Sequence, residues 1–344
     1  MPATYYAVAA KVRALYGRRF TGEDYRLLMS KTTIPEAAAF LQAHPGYRDQ
    51  LAGYNTAQLH REGLENALRR AYVDEYRRIF SFMPTTDQEL LRFPLYKAEH
   101  EAILAAMRQL TSTAPLSPTD TWLPLLEKES SLDLEVLRHT STFAEIAKAG
   151  EHTIYGSALA RIAAGEIETP THAFVDNMMQ VVYFATLYKT MNQRYSGQTK
   201  QVIRQSLDEV TDLMNLVQFL RLKKFFSEED IRRYSFPLPC SRKLPKEYMQ
   251  QLMAAPDYDT AFSLVLDGTY GKLFHSIPSS GLEAYLYPLQ FNFSRRQLRA
   301  ANPTVYTPIA YLTLKEIELR NVISIVECIY YEGDPNAFVT LIGV

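Results

Sequence analysis

Short sequence patterns return along these 344 residues at intervals near 110, and a period of that length fixes the architecture before any single element is assigned. The first pattern is an amphipathic helix with apolar residues at i, i+3, i+4 and i+7. It reads Lys11-Val12-Arg13-Ala14-Leu15, then Ala102-Ile103-Leu104-Ala105-Ala106-Met107, then Asn215-Leu216-Val217-Gln218-Phe219-Leu220, and finally Asn321-Val322-Ile323-Ser324-Ile325-Val326. The nearest pair aligns Asp212-Leu213-Met214-Asn215-Leu216 with Glu318-Leu319-Arg320-Asn321-Val322 at an offset of 106. After the first three helices comes a start signal of hydroxyl, two residues, acid: Thr21 to Asp24, Ser117 to Asp120 and Ser227 to Asp230. The hydroxyl caps free amides of the first turn, and the acid complements the helix dipole.

A second capped helix then leads to a tyrosine. Thr33 precedes Tyr47, Thr142 precedes Tyr155 and Asp257 precedes Tyr270. Beyond each tyrosine an acid marks a longer helix, in Leu64-Glu65-Asn66, Val175-Asp176-Asn177 and Leu282-Glu283-Ala284. The order is the same three times, which predicts an all-α protein of three similar helical domains in a ring-like or funnel-like group. The expected boundaries are 1–95, 96–205 and 206–306, with terminal helices in 307–344 closing the set against the first domain. Only 14 glycines fit helices better than a turn-rich β architecture.

Charge and motif content exclude several function classes. Lys and Arg total 37 against 38 acids, so no global positive field collects nucleic acid. Cys240 and Cys328 stand far apart, which predicts free thiols in a reducing compartment and neither a disulfide framework nor a zinc site. No secretory signal is read at the N-terminus, and the uncharged run 300–314 is too short, and carries Pro303 and Pro308, for a spanning helix. A soluble chain is expected. Gly268-Thr269-Tyr270-Gly271-Lys272 lacks the spacing and the Ser/Thr of a phosphate loop, and no GxGxxG, GxSxG or HExxH occurs. Catalytic, cofactor-binding and metal residues are therefore expected to be absent.

His100, flanked by Glu99 and Glu101, is expected at the surface, because neighbours on a helix point apart and do not share one ion. Glu65, Asp176 and Glu283 recur at equivalent places. They either line a shared central space or form ion pairs inherited by each repeat. Basic doublets such as Arg18-Arg19 and Arg77-Arg78 read mostly as solvated helix faces, with a minority free to meet an acidic partner protein or anionic lipid headgroups.

Three of these segments, 5–15, 212–224 and 311–322, resemble the C-subunit family of V-type and archaeal-type (A-type) rotary ATPases, known in eukaryotes as the d-subunit, with coverage of nearly the whole chain. Ala9, Ala10 and Ala102 depart from the asparagines common in that family's pattern. The resemblance implies a funnel of three helical domains with pseudo-threefold symmetry on the central rotor. Such a protein sits on the membrane proteolipid ring, receives the central shaft of the catalytic head and serves proton or sodium transport. It has no active site, cofactor or nucleotide of its own, and meets the membrane peripherally, on the cytoplasmic face, through the complex. Arg13, Asn215 and Asn321 match the family's recurring first helix, as structural or rotor-contact residues. A free-standing helical-repeat scaffold for protein–protein interaction is the alternative.

Overall fold

Caps set where the helices begin. In this computed structural model, which describes residues 3–111, 123–166, 171–225, 238, 243–275 and 286–333, Thr21 and Thr142 each form a complete capping box, with Asp24 and Glu145 as the returning acids. Thr33 caps Ile34–Ala43, with Pro35 in the first turn where its missing N–H costs nothing, and Asp257 caps Tyr258–Asp267. The start signals at Ser117 and Ser227 lie outside the described residues. Among the described residues every regular element is a helix, and no helix is long and apolar enough to cross a membrane.

The chain divides into two compact units. One comprises Met1–Arg92, Thr119–Glu129 and Gln290–Val344. At its centre lies Tyr306–Tyr330, with 18 of its 25 residues buried. A helix apolar on so many sides needs neighbours all round. Ala3–Tyr16, Gly22–Met29, Ile34–Ala43 and Arg61–Phe82 supply them. Pro308 falls within the first turn of this helix, where a proline is tolerated.

The second unit comprises Phe93–Pro118 and Ser130–Leu289. Phe93–Thr111 packs on His172–Arg194 and on Phe143–Ala149, while Gly197–Phe225 packs on His172–Arg194 and on Tyr258–Asp267. Leu213, Leu216, Leu220, Val265 and Phe274 share one apolar cluster. Burying each Leu or Phe fully contributes roughly 1.5–3 kcal/mol over leaving it in water.

Candidate functional site

The three tyrosines picked out by spacing share a local geometry. Each is buried, and each is the residue before a short helix: Arg48–Leu51 after Tyr47, Gly156–Arg161 after Tyr155 and Gly271–Phe274 after Tyr270. None of the three side chains caps its own helix. Instead each hydroxyl donates to a longer helix of its unit: Tyr47 to Glu318 at 2.8 Å, Tyr155 to the Tyr96 carbonyl at 2.8 Å and Tyr270 to Asp212 at 2.9 Å. Burial, reinforced by the charge of Glu318 or Asp212, pushes Tyr47 and Tyr270 well above the ordinary phenol range. Burial again dominates at Tyr155, with the Tyr183 phenol and Glu99 adding to it.

Two of the three acceptors also correspond along the sequence. Counting back three residues from Asn215 and Asn321 gives Asp212 and Glu318, and the same count from Ala102 gives Glu99, which accepts from Ser130 while Tyr155 turns to the Tyr96 carbonyl; all three acids are buried. Spacing alone singles out only the tyrosines. The acids carry a signal as well, since each is a charge inside an otherwise apolar helix face, a placement that requires a buried partner.

Glu318 belongs to the most elaborate of these networks. It accepts from the Phe20 backbone N–H at 2.9 Å, from Tyr47, and from Lys315 Nζ at 2.8 Å. Tyr311 donates to Glu75 at 2.5 Å, and Lys315 Nζ lies 4.1 Å from the centre of the Tyr47 ring. Burial works to lower Lys315, but the charges of Glu318 and Glu75 outweigh it and raise the ammonium above its usual value. The lysine stays charged at neutral pH, and its charge is neutralised at short range. His44, held against Asp24 at 3.6 Å, is shifted down mainly by burial.

The residues that the sequence marks for a structural or contact role fall in separate places. Arg13 donates to the Leu298 carbonyl at 2.8 Å and to the Ala300 carbonyl at 2.5 Å. Asn215 is buried and makes a two-way bond with Leu238, accepting its N–H at 2.8 Å and donating to its carbonyl at 3.1 Å. Asn321 is half-buried and hydrogen-bonds Tyr25. Glu65 pairs with Arg61 at 2.9 Å, and burial raises its carboxyl against that pairing. Asp176 lies 2.9 Å from His100; burial works to raise the carboxyl, but the imidazole and the Gln180 amide lower it. Glu283 lies outside the described residues.

The flank of His100 needs correcting. Glu99 is buried and accepts from Ser130 at 2.6 Å, and the His100 side chain is largely covered, against Asp176; of the three only Glu101 is exposed. The helix Phe93–Thr111 is covered by neighbours on more than one side, so adjacent positions that point apart still both meet protein. Among the described residues no group of three His, Cys, Asp or Glu side chains stands close enough to hold a metal ion. Cys328 is buried and in no disulfide among the described residues, and Cys240 lies outside them.

A comparison with protein families matches residues 8–337 to the ATP synthase (C/AC39) subunit family. A comparison with individually curated proteins found no match.

Proposed function

The chain belongs to the ATP synthase (C/AC39) subunit family, and from that premise we propose that it is the non-catalytic central-stalk rotor subunit of a V/A-type ATPase. It acts as a socket, receiving the central shaft of the nucleotide-handling head on one side and seating on the membrane proteolipid ring on the other. Coupling of this kind needs stiffness and several moderate contacts, which add through effective concentration once one side has docked. A chain made of helices also presents no strand edge to pair with the wrong neighbour. The observation that carries the reading is the family match over almost the entire length of an all-helical chain.

Three related helical domains, 1–95 closed by 307–344, 96–205 and 206–306, arranged as a funnel, are part of the proposal. The shared geometry at Tyr47, Tyr155 and Tyr270 supports it. Arg13, Asn215 and Asn321 then act as structural residues, because each spends its polar atoms on neighbouring segments. Asp176 likewise contacts His100 of another helix, and Glu65 pairs with Arg61 one turn earlier on its own helix. Association with the membrane follows from the complex, on its cytoplasmic face.

The test is affinity capture of the tagged full chain from a detergent extract of the source cells. Co-recovery of a shaft protein and of the proteolipid is expected. Recovery of the chain with neither overturns the rotor reading.

A further inference from the structure

One basic doublet does more than solvate a helix. Arg18 and Arg19 follow the helix Ala3–Tyr16, and together with Lys11 and Arg78 they line a cavity of about 140 Å³ in the first unit. The cavity has room for several waters or one small polyatomic ion. Its floor includes Lys315, Glu318 and Glu75, and Asp49 stands at its edge, so five cations face three carboxylates.

Two of those carboxylates are already engaged. Glu318 is neutralised at short range by Lys315 and takes two further donors, and Glu75 accepts from Tyr311. The rim cations are not engaged in that way. Neither Arg18 nor Arg78 makes a side-chain hydrogen bond or ion pair among the described residues. Arg19 reaches only the Tyr16 carbonyl and the face of the Tyr16 ring, and Lys11 lies over the Phe82 ring. With Lys315 set against Glu318, four further positive side chains line one concavity and only Asp49 and Glu75 oppose them, an excess of two positive charges.

The guanidinium fork matches tetrahedral oxyanions better than a point charge does, and Arg18 and Arg78 supply two forks.

We propose that this cavity is a binding site for a phosphate group, with Arg18 and Arg78 as its principal ligands and Lys11 and Arg19 as supporting cations. The site is independent of the rotor reading, because it rests on one unit of the isolated chain. A free phosphate and the headgroup of an anionic phospholipid share this chemistry.

The test uses the full chain and its Arg18→Gln/Arg78→Gln variant, with folding checked by far-ultraviolet circular dichroism. The two arginines are exposed, so their replacement leaves the core intact. Inorganic phosphate is titrated against thermal melting and by calorimetry, with sodium chloride matched for ionic strength. In parallel, the chain is sedimented with phosphatidylcholine vesicles and with vesicles that also contain phosphatidic acid. The expected result is saturable binding to at least one phosphate probe, weakened tenfold or more in the double variant. Phosphate binding without vesicle binding assigns a free phosphate, and vesicle binding that is lost in the same variant assigns a lipid headgroup. Binding to neither probe, or equal binding by the double variant, overturns the site.

Discussion

Tyr270 donates its hydroxyl to Asp212 at 2.9 Å, and Asp212 occupies on its helix the sequence position that Glu318, the acceptor for Tyr47, occupies 106 residues later. Both carboxylates are buried, so each hydroxyl offsets part of a desolvation cost that the apolar surroundings impose. Tyr270→Phe keeps the ring and removes that donor. The expected loss is about 1.5–3 kcal/mol, the range for a hydrogen bond to a charged group. Tyr47→Phe is expected at the lower end of that range, because Glu318 retains Lys315 and the Phe20 N–H. Urea unfolding followed by circular dichroism measures both, and a loss below about 0.5 kcal/mol in both variants removes these hydroxyls from the account of stability.

Removing Lys315 tests the same network from the other side. Lys315→Leu leaves Glu318 and Glu75 buried without the cation that lies beside them, and losing one partner of a buried pair costs about 3–5 kcal/mol. Adding Glu318→Gln takes away the stranded charge while keeping an acceptor for the Phe20 N–H. The double variant is therefore expected to be more stable than Lys315→Leu alone. A double variant that is less stable rejects the electrostatic account in favour of lost packing.

Alkaline pH should act on several of these groups together. Lys315, Tyr47, Tyr155 and Tyr270 all have values raised on folding, the tyrosines chiefly by burial and the lysine by its acidic neighbours against burial. A raised group contributes stability that is fully present below its unfolded value and is lost as pH rises toward the folded one. The tyrosines begin to act above the ordinary phenol value of 10.0 and the lysine above 10.5. Each contributes about 1.4 kcal/mol per pH unit within its window. Stability should be flat from neutral pH to about 10 and then fall steeply. Tyr47→Phe and Lys315→Leu should each make that fall shallower. An unchanged slope in both variants removes these groups from the transition.

Much of this is legible in the sequence. Thr33, Thr142 and Asp257 are readable as caps because a hydroxyl or carboxylate before an apolar run has a single local job, and all three fill it. Tyr47, Tyr155 and Tyr270 are visible through spacing. Which acceptor each one meets is not, because a pairing such as that of Tyr47 with Glu318 joins residues 271 positions apart and local periodicity carries no record of it. His100 is misread for a related reason: a helix face that looks polar in sequence is covered once Asp176 arrives from another segment. The cavity beside Arg18 and Arg78 is hidden in the same way, since two separate basic doublets look like ordinary solvated faces until the fold brings Arg18, Arg19 and Arg78 to a single concavity.

The residue after the tyrosine yields the sharpest steric prediction. Gly156 follows Tyr155 and Gly271 follows Tyr270, and in both cases an added Cβ would collide with the backbone carbonyl five residues upstream, that of Glu151 or Leu266. Neither glycine has an unusual backbone angle, so close approach is the requirement and conformational freedom is not. A backbone carbonyl does not swing aside as the end of a long side chain does. Alanine at either position must push the short helix away from the segment before it and draw the buried tyrosine off its acceptor. Gly156→Ala and Gly271→Ala are each expected to destabilise by about 1–3 kcal/mol, as overpacking does. Gly53→Ala is the control, since nothing lies within 4 Å of its added Cβ, and it should change stability little. Thermal melting of the three variants separates the cases. If Gly156→Ala or Gly271→Ala melts with the control, the short helix after the tyrosine yields more easily than this packing requires.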